Sequence, residues 1–519
     1  MNRREFLKVS ALAGVFFPSG TVFGRERGRP NLLIIHTDEH NFRTLGCYRK
    51  LMPREQSLMW GDAVVETPNI DWLAENGALC TSFYATTPVC SPSRAAFVSG
   101  RYPQNTPVVA NNIPLDDEIV TFAEVLRRRG YATGYAGKWH LDGAGKPQWA
   151  PRRKFGFVEN RYMFNRGHWK QLEDTPAGPR VKARRNGRPT YGVAGADEKS
   201  FTTDFLADKT VAFIEAHKGE PFCFMVSFPD PHGPDTVRPP YDTMFKDQTY
   251  KAPRTFNVEG RRVPNWGKPS GGFTGMALYY GMVKCIDDNV GKILGALRKR
   301  GILDKTIVVF TADHGDLRGE HHRQNKGVPF EGSAKIPFIV YYPGRIRGGT
   351  VVSEVLGCVD FKPTILSLMG YGKSGQEEGR DASELFLAGR APAGWKDITF
   401  IRSTGRAGAG TIWLAAVTGR YKLVYSNVDD PWLFDLEEDP DELENFFGEL
   451  EYRETLRELS RELLDYGERF GDPYIREPMI QAGLVWAVKG TGPYRPRAGQ
   501  VPAPEAGARK RRGKDRQKR

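Results

Sequence analysis

The chain has 519 residues, which is enough for a large α/β catalytic core and a smaller second domain. Its 39% hydrophobic and 26% charged residues are typical of an ordinary globular protein and exclude a disordered or fibrous one. No run of about 18 apolar residues follows the N-terminal segment, which excludes a protein with several membrane spans.

The formal net charge of +13 is concentrated at the two ends of the chain. From Tyr494 to Arg519, ten Lys and Arg residues stand against Glu505 and Asp515, so this segment carries +8. The first 24 residues carry +2, which leaves only +3 for the body of the chain. We therefore expect no nucleic-acid partner, and we interpret residues 486–519 as a basic, disordered tail.

Residues 1–24 have the pattern of an export signal. Arg3 and Arg4 precede Phe-Leu-Lys, and a short apolar stretch follows over residues 9–17. The paired arginines resemble a twin-arginine signal, which a receptor reads and which carries folded cargo. The pattern predicts export to the bacterial periplasm or the cell exterior, without a membrane span. The alternative is an N-terminal helix of the mature chain.

Four predicted strands end abruptly in ionisable residues. These strands are Asn31–Ile35, Tyr131–Gly137, Phe222–Phe228 and Thr306–Phe310. Helical patterns separate them over Thr121–Arg129, Thr202–His217 and Met276–Lys299. This alternation predicts an α/β fold with a large, mostly parallel mixed sheet between helices, whose ligands bind beyond the carboxyl ends of the strands. The residues delivered to that edge are Asp38, Glu39, Lys138, His140, His232, Asp313 and His314.

The carboxylates in this set predict a metal site. Asp38, Glu39 and Asp313 would form an oxygen-rich pocket suited to a hard divalent cation such as calcium. His314 is either a nitrogen ligand or a supporting group, and zinc is disfavoured because oxygens predominate. Nearby lysines and histidines would bind an anionic substrate. A metal beside a cationic pocket suits hydrolysis of a sulfate or phosphate ester.

Cys90 begins a predicted helix. Pro92 occupies an early helical position, and residues 95–99 can continue the helix, so Cys90 lies where free N–H groups favour an anion. Without further context, Cys90 reads either as a small buried thiol or as a nucleophile of low pKa. The six cysteines are scattered without a CxxC pair, and the sequence leaves any disulfide pairing open.

A longer motif gives Cys90 a specific meaning. The segment Cys90-Ser91-Pro92-Ser93-Arg94, followed by Ser99-Gly100-Arg101, resembles the signature of type I, Cys-type sulfatases of the alkaline-phosphatase superfamily. The further matching motifs, in the family's chain order, are Asp38, Gly137-Lys138-Trp139-His140, Pro231-His232, Asp313-His314-Gly315, Lys326 and Tyr421-Lys422-Leu423-Val424. The resemblance extends from about residue 29 to about residue 468.

The resemblance implies that a maturation enzyme oxidises Cys90 to Cα-formylglycine. The hydrated aldehyde would offer two hydroxyls on one carbon, of which one attacks sulfur and displaces the alcohol. Deprotonation of the other would then eliminate sulfate and restore the aldehyde. A serine in this position would be left with a stable sulfate ester.

The resemblance also implies roles for the other site residues. One calcium ion would be held by Asp38, Glu39, Asp313, His314 and residue 90. Asp313 would also help to activate the attacking hydroxyl, and Arg94 would orient the hydrate. Lys138 and Lys326 would hold sulfate oxygens, His232 would protonate the leaving oxygen, and His140 would be the base for elimination.

Two predicted metal ligands differ from the residues common in the family, and one predicted substrate-binding lysine has an alternative interpretation. Glu39 stands where the family often has a second Asp or an amide residue, and it could instead bond to a neighbouring group. His314 stands where some relatives have Asn. Lys326 lies in a Gly-rich loop, where a solvated lysine is the alternative. Five further histidines, His40, His168, His217, His321 and His322, are interpreted as surface or supporting residues.

The sequence divides into a catalytic domain over residues 25–390 and a C-terminal α+β subdomain over residues 391–485. The short strands predicted for that subdomain are Asp397–Arg402, Thr411–Val417, Tyr421–Tyr425 and Pro431–Asp435, followed by an amphipathic helix over Tyr452–Tyr466. Within the catalytic domain, the basic stretch Arg180–Arg188 predicts an inserted surface loop, which in a sulfatase could border the leaving-group pocket.

The sequence thus predicts an exported sulfatase, acting on a sulfated carbohydrate. Three alternatives remain open: an arylsulfate or choline-sulfate hydrolase, a phosphonate monoester hydrolase or phosphodiesterase, and a catalytically silent glycan-binding protein. The full set of site residues from Asp38 to Lys326 argues against the last, because a binding protein would need few of them.

Overall fold

The computed structural model describes residues 28–490 and Tyr494. The predicted export signal and most of the predicted tail lie outside the described residues. The last helix, Pro478–Lys489, runs past residue 486, where the tail was predicted to begin. The helix continues because Trp486 packs against Phe447, with ring centroids 5.3 Å apart, and beneath the guanidinium of Arg453.

The strands form one large sheet and one smaller sheet, with two short hairpins. In chain order the described strands are β1 (Asn31–Asp38), β2 (Ala78–Tyr84), β3 (Ala132–Lys138), β4 (Glu159–Phe164), β5 (Leu172–Thr175), β6 (Gly178–Val181), β7 (Arg184–Arg185), β8 (Arg188–Pro189), β9 (Phe222–Pro231), β10 (Thr306–Ala312), β11 (Lys335–Tyr341), β12 (Thr350–Val352), β13 (Leu356–Gly357), β14 (Thr399–Arg402), β15 (Trp413–Val417), β16 (Tyr421–Ser426) and β17 (Trp432–Asp435).

The large sheet has the order β12-β2-β11-β10-β1-β9-β3-β4, and β13 also pairs with β2. Its centre is parallel: β1 pairs with β9 and β10, and β3 pairs with β9 and β4. β11 runs antiparallel to both of its neighbours. The predicted large, mostly parallel mixed sheet is therefore confirmed, and its four central strands end at one edge.

Helices cover both faces of this sheet. In chain order the described α-helices are α1 (Gly46–Arg49), α2 (Arg54–Ser57), α3 (Pro68–Asn76), α4 (Cys90–Ser99), α5 (Phe122–Arg128), α6 (Thr202–His217), α7 (Tyr241–Met244), α8 (Met276–Lys299), α9 (Glu331–Ala334), α10 (Cys358–Leu368), α11 (Ser383–Ala388), α12 (Arg453–Arg469) and α13 (Pro478–Lys489). Among the helices of residues 28–490, none combines the length and the apolarity that crossing a membrane requires.

Strand β1 divides the core into two layers because successive side chains point to opposite faces. Leu32 and Ile34 join the apolar cluster beneath α4, α5 and α10. Leu33 and Ile35 join the cluster beneath α3, α6 and α8. A strand buried on both faces must be apolar throughout, which explains its continuous apolar run and leaves its polar residues at the carboxyl end.

The C-terminal part forms a second, antiparallel sheet in the order β14-β15-β16-β17, with α12 packed against it. Each strand predicted for this region is present within one or two residues of its predicted bounds. The buried amine of Lys422, on β16, lies 2.7 Å from Glu331 Oε1 of the large domain and 2.7 Å from Glu442 Oε1. This ionic contact ties the small sheet to the part of the chain that forms the large sheet.

Candidate active site

The parallel strands β10, β1, β9 and β3 bring their following residues together at one edge of the large sheet. Asp38 ends β1, Lys138 ends β3, His232 follows β9, and Asp313 follows β10. Helix α4 begins beside them with Cys90, and each of its ten residues is buried. Residues separated by more than 200 positions in sequence therefore share one small volume, as the sequence predicted.

A buried cluster of four residues could hold a metal ion. Asp38, Cys90, Asp313 and His314 each place one ligand atom within 4.8 Å of the others. Cys90 Sγ lies 3.2 Å from His314 Nε2 and 3.8 Å from Asp38 Oδ1. His314 Nε2 lies 3.5 Å from Asp313 Oδ1. Four of the five predicted metal ligands are thus adjacent.

Glu39 is the exception, since its carboxylate lies outside this cluster. Its backbone has φ 64°, and its N–H donates to Asp313 Oδ1 at 3.1 Å. The side chain instead contacts Lys326 Nζ and His232 Nε2, both at 3.0 Å. Burial raises the pKa of Glu39, but the charges of His232 and Lys326 outweigh burial and leave the pKa below its ordinary value.

Arg94 connects the two central carboxylates. Its Nε donates to Asp313 Oδ2 at 2.9 Å, and its Nη2 donates to Asp38 Oδ2 at 3.1 Å. Its Nη1 donates to the carbonyl of Lys138 and to Ser227 Oγ, both at 2.8 Å. A guanidinium that spans two strands in this way fixes the carboxylate positions and offsets part of their mutual repulsion.

Two lysines reach the site from opposite sides. Lys138 Nζ bonds to Asp38 Oδ2 and lies 3.6 Å from Cys90 Sγ. Lys326 Nζ lies 2.8 Å from His232 Nε2, so this lysine of the Gly-rich loop belongs to the site and is only slightly exposed. Both amines therefore stand where a bound anion would meet them.

The thiol of Cys90 lies in a strongly positive environment. Burial and the Asp38 carboxylate raise its pKa. The positive charges of Lys138 and Lys326 outweigh these effects, so the pKa of the thiol is well below its ordinary value. Burial lowers the pKa of His314, but Asp313 and Cys90 raise it to about 9.

His140 lies beside the first turn of α4 in a left-handed backbone conformation, with φ 60°. Its carbonyl accepts a hydrogen bond from Ser91 Oγ at 2.7 Å, and its Nε2 lies 3.4 Å from Asn112 Oδ1. Burial is the main reason why its pKa is lower than usual, although Cys90 opposes the shift. A neutral imidazole in this place can accept a proton.

His168 is a site residue that the sequence did not reveal. Its Nε2 lies 2.8 Å from Lys138 Nζ, and its ring stacks on that of His232 with centroids 3.5 Å apart. Burial and the charge of Lys138 lower its pKa well below the ordinary value, so the neutral ring accepts a hydrogen bond from the lysine. His168 follows β4 in an irregular segment without a motif, and only the fold brings it to the edge.

The side chains of four further histidines lie apart from this arrangement. His40 is buried between Thr37 and Thr44, His217 pairs with Glu159 and Glu220, and His321 stacks on Phe330. His40 and His321 are buried, and His217 is partly exposed. His322 stacks on Phe256 with centroids 4.2 Å apart.

Two family profiles match the sequence of this chain. The family profile described as Sulfatase matches residues 30–371, which is more than half of the chain. A second profile, described as N-sulphoglucosamine sulphohydrolase, C-terminal, matches residues 319–469. The two matches together span the large sheet, the site and the small C-terminal sheet.

Individual proteins give the same picture. An N-acetylglucosamine-6-O-sulfatase of Bacteroides thetaiotaomicron is 25% identical over 88% of this chain and 90% of its own length. A structure in complex with D-glucosamine-2-N,6-O-disulfate has a TM-score of 0.70 and 22% identity over 86% of this chain and 98% of that one. A phosphonate monoester hydrolase of Agrobacterium radiobacter has a TM-score of 0.65 and 23% identity over 85% and 96%. The chain therefore belongs to the sulfatase family, with an alkaline-phosphatase-like fold, and it is a sulfuric ester hydrolase.

Proposed function

We propose that this sulfatase removes sulfate from a sulfated carbohydrate with a formylglycine made from Cys90 as its nucleophile. The observation that carries the proposal is the position of Cys90 Sγ, which lies 3.2 Å from His314 Nε2 and 3.6 Å from Lys138 Nζ. A thiol that served only as packing would be surrounded by apolar side chains, not by carboxylates, an amine and an imidazole.

After Cys90 has been converted to formylglycine, the proposed reaction has two steps. A formylglycine-generating enzyme, using an external two-electron oxidant, would convert the Cys90 –CH2SH group and one water to an aldehyde. The C–S bond breaks and the sulfur leaves as hydrogen sulfide, and a second water adds to the aldehyde to give a geminal diol. In the first step one hydroxyl oxygen bonds to sulfur, the ester S–O bond breaks, and the alcohol leaves with a proton. In the second step the other hydroxyl loses its proton, the C–O bond to sulfate breaks, and the aldehyde reforms.

The residues around Cys90 suit these two steps. Lys138 and Lys326 would hold the sulfate oxygens, because their amines flank the reacting position. His232 Nδ1 is 2.9 Å from the carbonyl of Gly233, so Nε2, which faces Lys326 and Glu39, is the nitrogen that would protonate the leaving oxygen. His140 would accept the proton in the second step. Its lowered pKa supports this role, because the ring is neutral before the transfer.

The first step needs an oriented hydrate as well as a bound sulfate. We propose that Arg94 and Asp313 supply this orientation, with Asp313 accepting the proton of the attacking hydroxyl. Arg94 is within hydrogen-bond distance of both Asp38 and Asp313, so it would keep the acceptor in place. Positioned donors and acceptors of this kind lower the barrier because no reorganisation is needed during the reaction.

The donor set fits a divalent cation, and we propose calcium. Asp38, Asp313, His314 and residue 90 would hold it. As a thiol, residue 90 offers sulfur, which calcium binds poorly, whereas formylglycine oxygens suit a hard cation. A bound calcium ion would supply positive charge beside the reacting oxygens. The Glu39 carboxylate, which contacts Lys326 and His232, supports those two side chains in this arrangement.

The carbohydrate part of the proposal is supported by the relatives. The curated relative from Bacteroides thetaiotaomicron is named an N-acetylglucosamine-6-O-sulfatase, and a solved structure of the same fold contains a disulfated glucosamine. We therefore propose a sulfated amino sugar as the first substrate to test, and arylsulfate and choline sulfate as the comparison substrates.

The main rival is a phosphonate monoester hydrolase or phosphodiesterase, because the Agrobacterium enzyme shares the fold. Kinetics on the sulfate and phosphate esters of one alcohol separate the two activities. We expect the larger kcat/KM for the sulfate ester. A large preference for the phosphoester would contradict the proposal.

The nucleophile is tested by Cys90→Ala. We expect the variant to lose turnover completely and to keep its thermal unfolding profile, and we expect a peptide mass spectrum of the active protein to show residue 90 without sulfur. The matched control is Cys80→Ala, which also removes a buried thiol but lies away from the site in β2. Undiminished turnover by Cys90→Ala would refute the nucleophile assignment and favour the alternative that Cys90 is a small buried thiol.

We also propose that residues 1–24 direct export and that the chain divides near residue 390. The paired arginines support the first point, and the beginning of the separate small sheet at Thr399 supports the second. Replacing Arg3 and Arg4 by lysine should retain the protein in the bacterial cytoplasm. Equal export of both forms in cell fractionation would refute a twin-arginine signal.

A further inference from the structure

An exposed basic hairpin is attached directly to the rim of the active site. It consists of β7 and β8, which pair through Arg184 with Pro189 and Arg185 with Arg188. The hairpin closes at its base with a hydrogen bond from the N–H of Thr190 to the carbonyl of Ala183, at 2.9 Å. The next residue, Tyr191, therefore marks where the hairpin meets the body of the protein.

Tyr191 connects this base to the site. Its ring centroid lies 4.9 Å from that of Trp169 and 6.1 Å from that of His168. His168 in turn stacks on His232, the residue assigned to the leaving oxygen. The amine of Lys146 lies above the Tyr191 ring, 4.8 Å from its centroid. The hairpin base and Lys146 are thus connected to the leaving-group side of the site through the rings of Tyr191 and His168.

A further cation approaches the site from the side of His140. The Nη1 of Arg166 donates to Asn112 Oδ1 at 2.7 Å, and the same oxygen lies 3.4 Å from His140 Nε2. We call Lys146, Arg166, Arg184, Arg185 and Arg188 the basic rim. Its members reach the site from the side of His168 and from the side of His140.

The basic rim lacks carboxylate partners within the described part of the chain. Cations of β4, β6 and α6 are paired with acids: Arg180 with Glu173, and Arg161 and Lys209 with Asp174. Acidic residues are therefore available locally but are placed against other cations. Unpaired like charges repel one another, and an anion that binds among them relieves this repulsion.

We infer that the basic rim binds a second anionic group of the substrate, carried by a sugar next to the one that loses sulfate. This inference rests on the proposed function and extends it to a substrate class, namely oligosaccharides with negative charge on neighbouring residues. The second group is a sulfate or a uronate carboxylate, since both are oxyanions that guanidinium groups recognise.

The test compares two substrates on two triple variants. The rim variant is Arg184→Gln, Arg185→Gln and Arg188→Gln. The matched control is Lys299→Gln, Lys305→Gln and Arg347→Gln, which removes the same charge from exposed positions near the opposite edge of the sheet. The substrates are a sulfated hexasaccharide and 4-methylumbelliferyl sulfate. The readout is the kcat/KM for the hexasaccharide divided by the kcat/KM for 4-methylumbelliferyl sulfate. Thermal unfolding verifies that both variants are folded.

We expect the rim variant to lower this ratio at least about tenfold and the control to leave it unchanged. A tenfold change corresponds to about 1.4 kcal/mol, within the range of a few charge-assisted contacts. An equal change of the ratio in the two variants, or no change in either, would overturn the inference. A general loss of activity would lower kcat/KM for both substrates equally, so it cancels in the ratio.

Calorimetric binding identifies the anion and separates this inference from the proposed function. Hexasaccharides carrying sulfate, only uronate, or no charge are titrated into the wild-type protein and the rim variant. Rim-dependent binding of the sulfated or the uronate ligand supports the inference and names the anion. Equal binding of the neutral ligand overturns it. Binding without turnover of any ester would contradict the proposed function while leaving the basic rim supported.

Discussion

The Asp38 carboxylate shows how single residues set the electrostatics of the site. It accepts from Arg94 at 3.1 Å, bonds to Lys138 and lies beside the Cys90 thiol. Burial raises the pKa of Asp38, but the charges of Lys138 and Arg94 outweigh it and leave the pKa well below its ordinary value. A buried carboxylate kept ionised by two cations is ready to hold a metal ion.

The pH dependence of turnover tests His140. Its lowered pKa means that the ring is neutral at neutral pH, so the rate of elimination should fall only when the pH drops below the ordinary value of 6.5. His140→Ala should reduce kcat by about 10²–10⁴-fold and accumulate a sulfated residue 90, detectable by peptide mass spectrometry. His217→Ala, at the surface, is the control. A variant that retains wild-type kcat would exclude His140 as the base.

Metal removal tests the ligand cluster. Chelation should lower activity, and calcium should restore it. Calcium should also raise the unfolding temperature of the matured protein more than that of a preparation in which residue 90 is still a thiol, because oxygen ligands suit calcium better. Full activity after verified metal loss, or equal stabilisation of both forms, would speak against this ligand set.

At the scale of elements, the site depends on how closely β3 approaches β9. Gly137 has φ 106° and immediately precedes Lys138. A Cβ at this position would clash with the carbonyl oxygen of Ser227 on β9. The glycine therefore permits the close pairing that carries Lys138 to Asp38.

Gly137→Ala and Gly143→Ala form a matched pair. Both positions have positive φ, at 106° and 78°, but a Cβ on Gly143 meets nothing within 4 Å. Backbone strain of about 1–3 kcal/mol is common to both. We expect Gly137→Ala to lower the free energy of unfolding by at least about 1 kcal/mol more than Gly143→Ala does. We also expect it to reduce kcat, because Lys138 would be displaced. Equal effects in denaturant unfolding and kinetics would exclude the close approach as the cause.

At the scale of the whole molecule, a buried ionic cluster joins the two parts of the protein. Lys422 on β16 contacts Glu331, which begins α9, and Glu442, which follows β17. Its amine also donates to the carbonyl of Pro329 at 2.8 Å. Because residues 329–331 end the loop that contains Lys326, the small sheet also supports one wall of the active site.

Replacing Lys422 by methionine tests this connection. The change removes the cation shared by two buried carboxylates, of which only Glu331 keeps a second one, Lys335 at 3.2 Å. This loss should lower the free energy of unfolding by about 3–5 kcal/mol. The control Lys396→Met removes an exposed partner of Glu462 and should cost about 0–1 kcal/mol. Burial raises the pKa of Glu442 to about 7 even with Lys422 present. Without the cation this pKa rises further, so protonation removes the unpaired charge and the difference should shrink as the pH falls from alkaline values toward about 7. Equal losses in the two variants would show that the cluster does not hold the parts together.

The sequence alone determined the central sheet and most of the site. Strands buried on both faces need continuous apolar runs, so their polar ends identified Asp38, Lys138, His232 and Asp313, and helix periodicity located α6 and α8 to the residue. The motif beginning at Cys90 supplied the family. These features are local in sequence or repeat along it, and they can be read without knowing which segments meet.

Only the tertiary structure decided which side chains touch. It turned Glu39 toward Lys326 and His232, and it brought His168 from an irregular segment onto Lys138. Sequence spacing contains no information on such contacts, because a side chain in a loop can point several ways until neighbouring elements close around it. The charges that fix these orientations come from strands and loops up to 287 residues apart, and they act only after the sheet has assembled.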